Sequence, residues 1–127
     1  MRNYSVHGLF LIAVAFYLHS NVLAEPFAII DPTCGPVENG FKLGISTNGF
    51  NPNSTVAWKL VNSTQSIPIF GYFQTNSTGG FSDYTFLNEI GPDKYKMYFG
   101  DDADNDGKFD MINRTTYANL TIPCPNP

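Results

Sequence analysis

The chain has 127 residues, and its 7 Lys and Arg against 11 Asp and Glu give a formal net charge of −4 at pH 7. This length holds one modest hydrophobic core, and an acidic balance without a basic patch argues against nucleic acid as a partner. The 11 Gly and 9 Pro recur too often for long helices. We therefore expect a single domain built mainly from strands.

Residues 1–24 have the pattern of a secretory signal peptide. Arg2 supplies the positive start, an apolar run covers residues 9–18, and small residues precede Glu25, where a signal peptidase would cut. The run is short for a bilayer span, although a retained anchor is the alternative. Cleavage of 24 from 127 residues leaves one domain of 103 residues, 25–127, with six basic and eleven acidic groups and a formal charge of −5. We expect it to be secreted or held at the cell surface, without a membrane span.

Both histidines, His7 and His19, lie in the segment that cleavage would remove. Without histidine the mature chain has no Ser-His-Asp or Cys-His arrangement, and it lacks the usual nitrogen ligands of zinc and copper. Paired carboxylates for glycoside hydrolysis need a cleft, and 103 residues leave little material for its walls. We therefore expect no enzymatic activity.

Two cysteines, Cys34 and Cys124, stand near the two ends of the mature chain. In an exported protein they are expected to form one disulfide bond, with two unpaired thiols as the alternative. Closing so long a loop stabilises the fold by roughly 4 to 5 kcal/mol in the chain-entropy model.

Short segments with alternating apolar residues predict seven β-strands. One face of each strand is expected to be buried, and the turns between them carry the Gly, Pro, Asn and Asp that tight turns need. Together with Trp58 in an early central strand, this pattern predicts a two-sheet antiparallel sandwich. The predicted strands are 27–30, 41–46, 55–61, 67–73, 81–87, 94–99 and 117–122.

Three stretches resemble immunoglobulin-like modules of secreted and cell-surface proteins, archaeal ones among them. They are GFNPNSTVAWKLV (49–61), GYFQTNSTGGFSD (71–83) and YKMYFGDDADNDGKFD (95–110). Such modules open a strand after a Gly-Phe-x-Pro-Asn-Ser turn and continue through a Gly-rich hairpin. The resemblance covers roughly residues 40–110. It implies an all-β fold, a seven-stranded antiparallel immunoglobulin-like sandwich, used as an adhesion, wall or stalk unit without a common activity.

Five Asn-x-Ser/Thr triplets in the mature chain are glycosylation sequons. Single triplets arise by chance in an Asn- and Thr-rich sequence, but five within 103 residues favour attachment of glycans to some of them. Glycosylation of this kind points to a eukaryote or an archaeon. The asparagines are Asn53, Asn62, Asn76, Asn113 and Asn119.

The acidic stretch GDDADNDGKFD, residues 100–110, holds five of the eleven acidic residues. Its DxDxDG pattern places oxygen ligands around one point while the glycine permits a sharp bend, and in this it resembles the calcium loops of EF-hands, dockerins and thrombospondin type 3 repeats. We expect one Ca²⁺, because oxygen ligands without His or thiolate favour calcium over a transition metal. The expected ligands are Asp102, Asp104, Asp106, the Lys108 carbonyl and Asp110.

The same loop departs from an EF-hand at the twelfth position, where Asn113 stands in place of a bidentate Glu, and strands rather than helices flank it. Either the ion is held more weakly or a carboxylate from another turn, Glu89 or Asp93, completes the shell. The alternative is a solvated acidic turn whose Asp, Asn and Gly serve turn geometry alone.

Four aromatic residues occupy strand positions that can face solvent, namely Phe70, Tyr72, Tyr98 and Tyr117. An exposed aromatic row can stack on sugar rings, whereas rings covered by a loop, a glycan or the other sheet would belong to the core. Our leading prediction is a non-enzymatic extracellular structural or adhesion module, stabilised by calcium and a disulfide, with a protein or glycan partner. A carbohydrate-binding module that uses these rings is the second prediction.

Overall fold

The computed structural model describes residues 25–36, 40–88 and 90–125, so the predicted signal segment lies outside the described residues. These residues form seven strands and one short 3₁₀ turn, Ile112–Arg114. Within the described residues no helix is long and apolar enough to cross a membrane. The strands are β1 (Phe27–Asp31), β2 (Phe41–Asn48), β3 (Thr55–Val61), β4 (Ile69–Gln74), β5 (Phe81–Leu87), β6 (Asp93–Asp101) and β7 (Thr115–Ile122).

The strands form two antiparallel sheets, one of three strands in the order β1-β2-β5 and one of four in the order β4-β3-β6-β7. The predicted seven-stranded antiparallel all-β sandwich is confirmed. The bounds differ by one or two residues in five strands, β1, β2, β4, β6 and β7. Strand β4 begins at Ile69, since Pro68 before it has no N–H to donate to a neighbouring strand. Strands β6 and β7 extend to Asp101 and from Thr115, which shortens the acidic connection between them.

The core lies between the sheets and follows the alternation of the sequence. Leu43 and Ile45 of β2 face Met97 and Phe99 of β6 across the interior, with Trp58 of β3 beside them. Each fully buried side chain of this size stabilises the fold by about 1.5–3 kcal/mol. Strand β3 is an exception to the expected one-sided burial, because Thr55–Trp58 are all buried. The acidic connection contributes on the outer side, where the Asp102 N–H donates to the Thr55 carbonyl at 3.0 Å. There Phe109 packs on Gly100, the partner of Ala57.

The predicted disulfide is confirmed between Cys34 and Cys124, whose Cα atoms are 4.7 Å apart. After β1 the chain leaves the three-stranded sheet and runs beside the last strand of the other sheet. There Gly35 N–H donates to the Thr121 carbonyl at 3.2 Å, and Thr121 N–H donates to the Thr33 carbonyl at 3.0 Å. The disulfide therefore holds the segment after β1 against β7, the edge strand of the four-stranded sheet.

Candidate functional site

The acidic loop, residues 102–111, is anchored at its base by a buried charge pair. The Asp101 carboxylate, at the end of β6, accepts the Asn51 N–H at 3.1 Å and lies 3.7 Å from Arg114 Nη2. Arg114 also donates to the Gly49 carbonyl at 2.7 Å. Burial raises the pKa of Asp101, and the Asn51 N–H and Arg114 oppose that effect. The pair holds the two ends of the loop together, and no local pattern in the sequence indicates it.

Asp102 organises the turn that follows. Its side chain is fully buried, one carboxylate oxygen accepts the Asp106 N–H at 3.1 Å, and the other accepts the Gly107 N–H at 3.0 Å. Gly107 has a φ of +81°, a backbone conformation that glycine adopts without strain. Burial raises the pKa of Asp102, although the two N–H donors favour its charged form. The turn therefore holds a desolvated carboxylate close to two exposed ones.

Three of the predicted ligands converge in this turn. Carboxylate oxygens of Asp102, Asp104 and Asp106 all lie within 4.8 Å of one another, so the group can hold a metal ion. The N–H of Lys108, 2.8 Å away, is the main reason that the pKa of Asp106 is lowered, so its carboxylate stays charged. A set of oxygen donors with two exposed members fits a hard cation that keeps some of its water.

The other carboxylates considered as ligands are placed differently. Asp110 closes the loop, because its carboxylate accepts the Ala103 N–H at 2.9 Å and its own N–H donates to the Asp101 carbonyl at 2.8 Å. Asp93 starts the nine-residue strand β6, which puts it about 26 Å along the strand from the loop. The hypothesis that Asp93 completes the shell is therefore wrong, and Glu89 lies outside the described residues.

The four predicted aromatic residues lie together on the outer surface of the four-stranded sheet. Phe70, Tyr72 and Tyr117 are exposed and Tyr98 is half-buried. Strand register aligns Phe70, Lys59, Tyr98 and Tyr117 in one row across β4, β3, β6 and β7. We call this surface, defined by Lys59, Phe70, Tyr72, Tyr98 and Tyr117, the aromatic face.

Neighbouring rings on the aromatic face pack in pairs. The Phe70 and Tyr72 ring centroids are 6.3 Å apart at nearly right angles, and those of Tyr98 and Tyr117 are 5.5 Å apart. The first pair packs edge to face and the second is tilted by 45°, and both contacts hold the rings against each other. Three of these rings, Phe70, Tyr72 and Tyr117, are therefore supported by a neighbouring ring and exposed to solvent.

A groove of about 280 Å³ opens between the rings of β4 and the acidic loop. Phe109 of the loop packs on Gly100, where an added Cβ would lie only 2.6 Å from the ring. The Lys59 ammonium lies 4.7 Å above the Phe109 ring. The acidic loop thus contributes Gly107 to the lining of the groove, a contact that no local sequence pattern indicates. The groove is lined by Ala57, Trp58, Lys59, Ile67, Phe70, Tyr72 and Gly107.

The described sequon asparagines fall into two groups. Asn62 and Asn76 fold their own turns, since each Oδ1 accepts both the N–H and the hydroxyl of the Thr two residues later. These bonds leave Nδ2, the atom that carries a glycan, uninvolved. Asn53, Asn113 and Asn119 are exposed, and Asn119 lies directly opposite Lys96 on the sheet that bears the aromatic face.

Comparison with known proteins gives one structural likeness. The fold is similar to that of macromomycin, with a TM-score of 0.53 and 11% sequence identity over 76% of this chain and 97% of that chain. No protein-family model matches the chain, and no curated protein matches it. The likeness supports the sandwich fold and, at this identity, nothing about function.

Proposed function

We propose that this chain is a non-enzymatic extracellular binding module that recognises carbohydrate through the aromatic face. The observation that carries this proposal is the alignment of Phe70, Tyr72, Tyr98 and Tyr117 on one surface beside a groove. Sugar rings present C–H groups of partial positive charge, which pack favourably on the negative faces of aromatic rings. An exposed apolar patch rimmed by polar groups is typical of a ligand site.

The setting of the site supports an extracellular role. Disulfide bonds persist in oxidising compartments, so the Cys34–Cys124 bond is compatible with export, as are the signal pattern and the sequons. The strand order supports an immunoglobulin-like sandwich, since β3 and β6 pair in one sheet while β2 and β5 pair in the other. Modules of this architecture carry binding surfaces on rigid sheets.

The ion of the acidic loop is Ca²⁺ in this proposal. Support comes from the convergence of Asp102, Asp104 and Asp106 and from the oxygen-only donor set. An ion at 100 times its dissociation constant would stabilise the fold by about 2.7 kcal/mol. Thermal unfolding with calcium and with a chelator tests this assignment. A calcium-dependent rise in Tm that disappears in Asp104→Ala is expected, and an unchanged Tm in both would leave the acidic stretch as a solvated turn.

The carbohydrate proposal is tested by glycan-array binding of the mature protein and two variants. Tyr72→Ala removes a ring that lines the groove, so binding should fall at least tenfold. The control is Tyr84→Ala, which removes an exposed tyrosine from the outer surface of the three-stranded sheet. Equal losses in both variants, or no glycan bound by the parent protein, would contradict the proposal.

A structural or adhesion module is the second candidate. It is favoured by the exposed apolar side chains on the other sheet, where Phe27, Ile29, Tyr84 and Phe86 offer a surface for a protein partner. A pull-down from the native surface separates the two functions. Association that is lost in Tyr84→Ala and kept in Tyr72→Ala would favour the second candidate.

A further inference from the structure

The lysines of this acidic domain are unevenly distributed. Lys59, Lys94 and Lys96 point to the outer side of the four-stranded sheet, the side that bears the aromatic face, because they alternate with buried residues along β3 and β6. The formal charge of the mature chain is −5, yet β3, β4 and β7 contain no acidic residue. The three lysines therefore give this sheet a positively charged strip, which the acidic loop borders at the groove.

Two of these lysines lie among the rings. The Lys59 ammonium is 4.7 Å above Phe109, and the Lys96 ammonium is 4.7 Å above Tyr117. Within the described residues neither forms an ion pair. Lys59 is opposite Tyr98, so Lys96, two residues before Tyr98 in β6, is its diagonal neighbour, with Cα atoms roughly 7–8 Å apart. Both charges are thus available to a ligand on the same surface.

The volume and the lining residues of the groove limit the kind of ligand that it can hold. Its volume of about 280 Å³ lies at the small end for binding sites, which suits a single ring-sized group. Phe70 and Tyr72 offer apolar contact, and Lys59, whose ammonium lies over Phe109, is the one cationic residue of the lining. A sugar ring bearing an anionic substituent satisfies both at once, because its C–H face packs on the rings while its charge meets the ammonium group.

We propose that the ligand is an acidic carbohydrate, whose carboxylate or sulfate binds Lys59 while the ring packs against Phe70 and Tyr72. The chain of sugars continues along the row towards Tyr98 and Tyr117, where Lys96 supplies a second positive charge. This inference rests on the proposed function and specifies its ligand class. Single-stranded nucleic acid also combines rings and negative charge, and the test below compares it directly with the acidic sugar.

The test uses isothermal titration calorimetry with a uronic-acid hexasaccharide and with the same hexasaccharide methyl-esterified at every carboxyl. The acid should bind at least tenfold more tightly, and raising the salt concentration should reduce that preference. Lys59→Gln should abolish the preference and Lys96→Gln should reduce it. Lys42→Gln, on the opposite sheet, should leave it unchanged. Near-ultraviolet circular dichroism checks that each variant is folded.

The outcomes separate this inference from the proposed function. Equal binding of acid and ester, or a preference that survives Lys59→Gln in folded protein, would overturn the acidic ligand and leave carbohydrate binding in place. Binding of neither sugar would overturn both. Tighter binding of a uridine hexanucleotide than of the acid would also overturn the inference. The measurement is repeated on Asn119→Gln, because a glycan opposite Lys96 would compete for this surface; the acid preference is expected to persist there.

Discussion

In the turn at Asn76 and in the acidic loop, one side chain accepts two backbone N–H groups, but the first side chain is neutral and the second is a carboxylate. In the turn between β4 and β5, Asn76 Oδ1 accepts the N–H groups of Thr78 and Gly80, each at 2.9 Å. In the acidic loop the Asp102 carboxylate accepts those of Asp106 and Gly107. One side chain thus folds each turn, and the first does so without charge. Turn geometry therefore accounts for an Asx residue at position 102 but not for three converging carboxylates.

The two turns should differ most in stability when the Asp101–Arg114 pair at the base of the acidic loop is removed. Arg114→Leu leaves the buried Asp101 carboxylate without its cation, which is expected to reduce the free energy of unfolding by about 3 kcal/mol or more. The Asn76 turn has no such pair within the described residues. Denaturant unfolding measures the effect, and Arg114→Lys should restore part of it. A loss under 1 kcal/mol would show that the pair does not anchor the loop.

The second test removes the organising side chain from each turn, with a chelator present so that no ion contributes. Asp102→Ala leaves the Asp106 and Gly107 N–H groups without their acceptor at a buried position. It should lower the free energy of unfolding by about 2 kcal/mol. Asn76→Ala exposes its donors to water and should lower it by about 1 kcal/mol. If both variants lose the same free energy of unfolding in chemical denaturation, Asp102 is no more important to its turn than Asn76 is to its own.

A third test isolates the charge. Asp104→Asn keeps the shape of the side chain but removes its repulsion with Asp102 and Asp106, whose carboxylate oxygens lie within 4.8 Å. Without calcium this variant should therefore be slightly more stable than the parent, and with calcium less stable. Thermal unfolding under both conditions should show this reversal of sign. The same direction under both conditions would mean that the carboxylates do not act together on an ion.

The smallest effect concerns Asp93, an isolated carboxylate at the start of β6 that accepts hydrogen bonds from Ser63. The Ser63 hydroxyl, 3.0 Å away, is the main cause of its lowered pKa. Since the folded pKa lies below the usual 3.8, this stabilisation is complete above pH 3.8 and is lost as the pH falls through the folded value. Ser63→Ala should raise the pKa of Asp93 towards 3.8, as followed by carboxyl NMR, and calcium should change neither protein. An unchanged pKa would assign the shift to the Lys94 N–H instead.

Local patterns in the sequence predicted the strands well, because alternation along β2, β6 and β7 is repeated in their burial. The DxDxDG spacing likewise predicted the convergence of Asp102, Asp104 and Asp106, since these residues are close along the chain. What escaped prediction depends on tertiary contacts. Phe109 reaches Gly100 only because the loop folds back over the sheet. The row from Phe70 to Tyr117 depends on strand order, which alternation does not specify.

The position of the disulfide has a mechanical consequence. Cys34 and Cys124 are separated by 90 positions and enclose six of the seven strands. Tension applied to the chain outside these two residues passes through one covalent bond, so the hydrogen-bonded sheets within the enclosed segment carry no load. Strand β1 is the exception, because it precedes Cys34 and is held to β2 by a ladder of five residue pairs. Under a pull from its N-terminal side it would peel away pair by pair, while the aromatic face and the acidic loop kept their shape.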